Sequence, residues 1–227
     1  KMVGYIILGI VVLFLAIILV RTLMFTPKKV TKEVGEAVTL DEEKIVKDMV
    51  DMIRIKTISN RDESLVDWAE FEKFETLLKE RFPKLFSVAK FEKVGKTGLL
   101  FSIKGKSSEK SSVCMAHYDV VPIEEDGWSK PAFEGIIENN VIWGRGTLDT
   151  KGTLCGVLEA AEKLLLEGYE PNKDLYLAFS GEEEIDGDSC KDIVSYLEKQ
   201  GVKPAIVLDE GGAVVEKVFP GVDRECA

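Results

Sequence analysis

The chain has 227 residues, 45% hydrophobic and 31% charged, which is too apolar for a disordered polypeptide and long enough for one or two domains. Its formal charge is −10, and no Lys/Arg cluster stands clear of acidic neighbours, so nucleic acid is not an expected partner. The four cysteines, Cys114, Cys155, Cys190 and Cys226, form no Cys-x-x-Cys pair, so they read as small buried thiols rather than a zinc knuckle or a disulfide framework.

Met2 to Val20 carries no charged residue, and Thr22–Phe25 extends the apolar character past Arg21. At about 1.5 Å per residue this run reaches roughly 29 Å, close to the thickness of a bilayer's hydrocarbon core. No small-residue cleavage site follows it, so residues 2–25 are expected to form an uncleaved transmembrane anchor helix rather than a signal peptide. Arg21, Lys28, Lys29 and Lys32 follow the run and only Lys1 precedes it, which leans the main domain toward the cytoplasmic side. Residues 26–40, with Pro27 and Gly35, read as a juxtamembrane linker, and 41–227 as the catalytic portion.

From there Asp41 is a candidate N-cap for a helix through Ile45, Val46, Met49, Val50 and Ile53. A second helix is expected from about Val66 to Phe82, stopping at Pro83. Ser87–Ile103 reads as two strands broken at Gly95–Gly98, and residues 105–112 as a loop. Next come a strand at Ser112–Ala116 and a hairpin at Ile136–Trp143 turning on Asn139-Asn140. A helix at Leu154–Leu166, a strand at Asp174–Ser180, a helix at Ser189–Gln200 and a strand at Ala205–Leu208 follow. This alternation predicts an α/β domain, three layers deep, with a mostly parallel mixed sheet.

Polar residues gather just after the buried strands. His117 and Asp119 follow one, Glu182, Glu183 and Glu184 another, and Asp209 and Glu210 a third, while Asp149 follows the hairpin. In an open α/β sheet, ligands collect outside the carboxyl ends of the strands. Taken singly, a lone His, a Glu run or an Asp-Glu-Gly-Gly turn each has an ordinary structural reading. Together they would place one imidazole and several carboxylates on one rim, where a divalent cation relieves the repulsion. The ligand types suit zinc, with cobalt or manganese as substitutes. Asp119, two residues beyond His117, can reach back to orient the imidazole.

At these residues the sequence resembles the dizinc peptidases and amidohydrolases that include aminoacylase, carboxypeptidase S and succinyl-diaminopimelate desuccinylase. The matching segments are His117-Tyr118-Asp119-Val120-Val121-Pro122, Gly144-Arg145-Gly146-Thr147-Leu148-Asp149, Glu182-Glu183-Glu184-Ile185-Asp186-Gly187 and Leu208-Asp209-Glu210-Gly211-Gly212, with Trp128, Pro131 and Phe133 between the first two. The wording is closest to the carboxypeptidase S branch. The resemblance implies that His117 and Glu210 bind one zinc, Glu184 the second, and Asp149 both. It further implies that Asp119 orients His117, that Glu183 is the general base toward a water between the metals, and that the Asp149–Thr150 bond is cis. The implied substrates are peptides or N-acyl amino acids, and the implied assembly of the full-length protein is a homodimer.

Two departures qualify this. The family draws a further zinc-binding histidine from near its C-terminus, and His117 is the one histidine here. The family also inserts a lid and dimerisation domain about where Ala227 stands. The expectation is therefore an N-terminal fragment, inactive by itself and exposing apolar surface, with Val214–Phe219 as an orphaned strand. The alternative is a truncated membrane-anchored protein kept for binding or interaction.

Overall fold

The structure, a computed structural model, describes residues 2–26 and 38–211. The chain divides between Leu40 and Asp41 into two compact units. The first contains α1, Met2–Leu23, a helix of 22 residues with no buried side chain, long and apolar enough to cross a membrane. Residues 27–37 of the expected linker, and all of Val214–Phe219 and Cys226, fall outside the described residues.

The second unit opens with α2, Glu42–Ile53, capped by Asp41, whose Oδ1 accepts from the Lys44 amide at 3.1 Å. Helix α3, Trp68–Arg81, starts two residues later than expected because Asp67 caps it by accepting from the Ala69 amide. The chain then departs from expectation. Helix α3 does end before Pro83, but Pro83 then occupies the first turn of a new short helix, α4, Pro83–Val88, so Ser87 and Val88 are helical rather than extended. Proline suits that position, where its missing N–H costs nothing. The next two amides, of Lys84 and Leu85, donate to the buried Glu162 carboxylate at 2.9 and 2.7 Å. That partner lies more than 70 residues away, so no local signal announces the helix.

The strands follow as β1 (Lys90–Val94), β2 (Gly98–Ile103), β3 (Ser111–His117), β4 (Ile136–Glu138) and β5 (Val141–Trp143). The β4–β5 hairpin turns on Asn139 and Asn140, both with positive φ, as a tight two-residue hairpin turn demands. Then come α5 (Lys151–Leu166), β6 (Leu175–Ser180), α6 (Ser189–Lys199) and β7 (Pro204–Leu208). The main sheet has the order β1-β2-β6-β3-β7. It is less parallel than expected: β6, β3 and β7 run parallel, while β1 and β2 pair antiparallel with each other and β2 antiparallel with β6. The connection between β1 and β2 is too short for a parallel crossover, which takes a dozen residues or more.

Side-chain alternation along the strands divides the core between two faces. Leu99, Phe101, Ile103, Leu177 and Phe179 face a large cluster with Met52, Ile53, Phe74, Leu78, Leu85, Leu154 and Leu158 from α2, α3, α4 and α5. Leu100, Val113, Tyr176 and Ala178 face Ile193 and Leu197 of α6. The three layers thus follow from a period of two along each strand. Among the described residues β7 is an edge strand with one neighbour, β3, and its Ile206, Val207 and Leu208 are about half exposed or more.

Candidate metal centre

Adjacent parallel strands end side by side. His117 pairs with Ser180 across β3 and β6, and Cys114 with Leu208 across β3 and β7. Residues just beyond those ends therefore share one rim. Asp149 reaches the same place from the turn between β5 and α5.

His117 is the centre of the arrangement and is 1% exposed. Its Nδ1 lies 3.0 Å from the Asp119 carbonyl oxygen and 3.4 Å from Asp119 Oδ1. Since those oxygens only accept, Nδ1 carries a proton. Nε2 then faces Asp149 Oδ1 at 2.9 Å, Glu210 Oε2 at 3.4 Å and Glu183 Oε2 at 3.7 Å. Donor atoms of His117, Asp149 and Glu184 lie within 4.8 Å of one another, and so do those of His117, Glu183 and Glu210. A cleft of about 270 Å³ opens beside them, lined by His117, Glu183, Glu210 and Cys190 among others.

Asp119 is fully buried and does more than the sequence suggested. The nearest acceptor for His117 Nδ1 is its carbonyl, while its carboxylate also receives the Glu183 amide at 3.1 Å on Oδ1 and the Glu184 amide at 3.2 Å on Oδ2. One residue thus ties the end of β3 to the turn beyond β6. Glu182, by contrast, turns to Thr97 Oγ1, which donates to it at 3.1 Å.

The electrostatics fit a cation. Burial opposes charge on His117, yet Asp119, Asp149 and Glu210 outweigh it and push the imidazole up to about 10, so a proton is held where carboxylates converge. Burial and the neighbouring Asp149 and Glu183 raise Glu210, against the pull of His117. Burial and Asp149, Asp119 and Glu183 likewise raise Glu184. A group of carboxylates and one imidazole that must hold extra protons is a donor set suited to a divalent metal.

The six residues to which the resemblance gave roles, His117, Asp119, Asp149, Glu183, Glu184 and Glu210, meet at this rim. The Asp149–Thr150 bond is cis. Trp128, Pro131 and Phe133 line a separate cavity of about 640 Å³ with Lys56 and Ile58, and the Arg145 guanidinium stacks 5.2 Å over the Trp128 ring.

Two residues behind the rim escaped the sequence reading. Lys151, the first residue of α5, is fully buried and donates from Nζ to the carbonyls of Met52 at 3.0 Å and Ile55 at 2.7 Å. Thr57, also fully buried, donates its hydroxyl to the Tyr118 carbonyl. Only Lys151 left a trace, because a basic residue in a helix's first turn opposes the helix dipole.

An α/β domain with one imidazole and several carboxylates on its strand-end rim defines a metal-centre class, and similarity to known proteins makes the class specific. Residues 113–223 match the model for Peptidase family M20/M25/M40, and the chain carries a domain of that family. It is 34% identical over 181 residues to the mouse N-fatty-acyl-amino acid synthase/hydrolase PM20D1, covering 77% of this chain and 35% of that protein. Over 226 residues it is 32% identical to the probable carboxypeptidase S-like 2 of Dictyostelium discoideum, covering 94% of this chain and 44% of the relative. The crystal structure of the M20 family metallo-carboxypeptidase Sso-CP2 from Sulfolobus solfataricus superposes with a TM-score of 0.60 at 30% identity, covering 77% of this chain and 38% of that one. The chain thus spans less than half the length of these relatives.

Proposed function

We propose that this chain is the N-terminal part of a zinc-dependent hydrolase that cleaves peptide or N-acyl-amino-acid amide bonds, in the manner of a carboxypeptidase or aminoacylase. The observation that carries this reading is His117 Nε2 standing between the Asp149, Glu183 and Glu210 carboxylates. His117 and Glu210 would hold one zinc, Glu184 a second, and Asp149, within reach of both His117 and Glu184, would bridge them. When bound, such ions polarise a carbonyl and make a water acidic near neutral pH.

The remaining chemistry falls to the protein's own side chains. Asp119 fixes the ring plane of His117 and, through its two accepted amides, the direction in which Glu183 and Glu184 leave the β6 turn. Glu183 is half exposed on the cleft side and is free to move a proton. As general base it takes a proton from the attacking water and returns it to the leaving amine nitrogen as the C–N bond breaks. The products are a carboxylic acid and an amine, with every proton accounted for.

The relatives' greater length and the exposed apolar edge at β7 support a longer catalytic domain that completes the sheet and the second ligand set. The length and composition of α1 support a single-pass anchor joined to this domain by the linker. The test is hydrolysis of N-acyl amino acids and C-terminally free peptides by the longer protein. Glu183→Gln is expected to lower kcat by roughly 10²–10⁴-fold while zinc stays bound. Full activity in Glu183→Gln would remove the assignment.

A further inference from the structure

Behind the rim, Lys151 is a lysine with no counter-charge in contact. Its side chain is fully buried, and among the described residues no carboxylate oxygen lies within 4 Å of Nζ. Two backbone carbonyls and the face of Phe74, 5.1 Å away, form its surroundings. Burying such a charge is expensive, and a methionine would fill the same space without that cost. A bulk-stability role therefore explains the residue poorly.

Its connections explain it better. Met52, one acceptor, lies in the last turn of α2, where helix carbonyls carry partial negative charge, and Ile55, the other, lies just past the end of that helix. Ile55 begins a strap, residues 55–59, that is sewn to the loop after His117. The Thr57 hydroxyl bonds the Tyr118 carbonyl, the Val120 amide donates to the Thr57 carbonyl at 2.9 Å, and the Ser59 amide donates to the Val120 carbonyl at 3.2 Å. These bonds flank Asp119 on both sides. At its other end the Lys151 amide donates to the Gly146 carbonyl at 2.9 Å, closing the turn that carries Asp149. Asp149 itself is 67% exposed and has little packing of its own.

We propose that Lys151 is a positioning residue: its buried amine clamps the Asp149 turn to the 55–59 strap and so sets the separation of Asp149 from His117. The circuit runs from His117 through Tyr118 and Thr57 to Ile55, across Lys151 to Asp149, and back to His117 Nε2. The inference rests on the zinc-site reading for its function, but the clamp itself is a property of the protein alone.

The test uses the full chain with Lys151→Met, Thr57→Val and the double variant, and Glu162→Gln as a variant that weakens the fold away from the rim. Zinc affinity is read by chelator competition, and ligand geometry from the visible spectrum of the cobalt-loaded chain. Hydrogen exchange at the Ser59 and Val120 amides is followed in the metal-free chain. Lys151→Met is expected to lose roughly 10–100-fold in zinc affinity, as outer-shell supports do, and to alter the cobalt spectrum. Thr57→Val should act in the same direction, with the double variant losing less than the two combined. Glu162→Gln should lose stability and keep zinc. Exchange at Ser59 and Val120 should quicken by about tenfold in Lys151→Met. Zinc affinity within twofold of wild type in both single variants, with an unchanged cobalt spectrum, would overturn the proposal even if melting temperatures fell. Should wild type and His117→Ala take up zinc equally, the metal reading fails instead, and unchanged exchange in Lys151→Met would then still refute the clamp.

Discussion

Replacing Glu162 tests how the short helix α4 exists at all. Phe82 offers α4 no side-chain cap, and the first amides after Pro83 depend on the Glu162 carboxylate, which is 3% exposed. A hydrogen bond to a charged group contributes about 1.5–3 kcal/mol, and Glu162→Ala removes two. Releasing a buried carboxylate offsets part of that loss, leaving a net cost of about 2–4 kcal/mol. Glu162→Gln keeps one acceptor and turns an NH₂ against the other amide, so it should cost about half as much. The consequences extend into the core, because α4 carries Leu85 and also Phe86, whose ring lies 4.9 Å from those of Phe91 and Phe101. Urea unfolding of the full chain, followed by fluorescence of Trp68, Trp128 and Trp143, gives the difference directly. With a slope of about 2 kcal/mol/M, the Ala variant should unfold about 1–2 M earlier. A midpoint shift worth less than about 0.5 kcal/mol would refute this account of α4.

Other consequences can be measured in parallel. His117 sits raised to about 10 in the protein against 6.5 for a free imidazole, so its stabilising contribution is complete below about pH 6.5 and is lost as pH rises through about 10. Asp149 and Glu210 are partly exposed, which discounts the effect to about 2 kcal/mol, and melting scans of chelator-treated chain from pH 6 to pH 10 should show the decline. A flat profile would contradict the convergence of charge on His117. Gly181→Ala should destabilise by about 1–3 kcal/mol, since an added Cβ would meet the Tyr118 ring carbon at 2.6 Å and Thr97 at 2.8 Å; equal melting temperatures would refute that close approach. Asp119→Asn retains the shape but weakens its hold on His117 and on the Glu183 and Glu184 amides, so zinc affinity should fall roughly 10–100-fold.

Much of the domain was legible in the sequence because local chemistry and tertiary need agree there. Asn139-Asn140 announces its hairpin through positive φ, Asp41 its helix through a cap, and the apolar runs before His117, Glu182 and Asp209 their strands. The rim followed from those strands, since parallel neighbours bring their carboxyl ends together. What stayed hidden depends on distant partners. The helix at Pro83 exists through Glu162, and the double duty of Asp119 requires knowing that the Glu183 and Glu184 amides stand over it. The extent of antiparallel pairing was available in principle, since the short break between Val94 and Gly98 permits only a hairpin. Thr57 acts through a backbone carbonyl, which leaves no mark in a sequence, and Lys151 shows there only as a basic residue in a helix's first turn.

The central claim is that His117 and its carboxylates form a metal site. Zinc bound per chain, measured by equilibrium dialysis of the full chain beside His117→Ala and Glu210→Ala, tests it most directly. About one tightly held equivalent is expected in wild type and its loss in both variants, because each removes a donor from the cluster of His117, Glu183 and Glu210. Wild-type chain that folds and holds no zinc, or variants that hold as much as wild type, would contradict it.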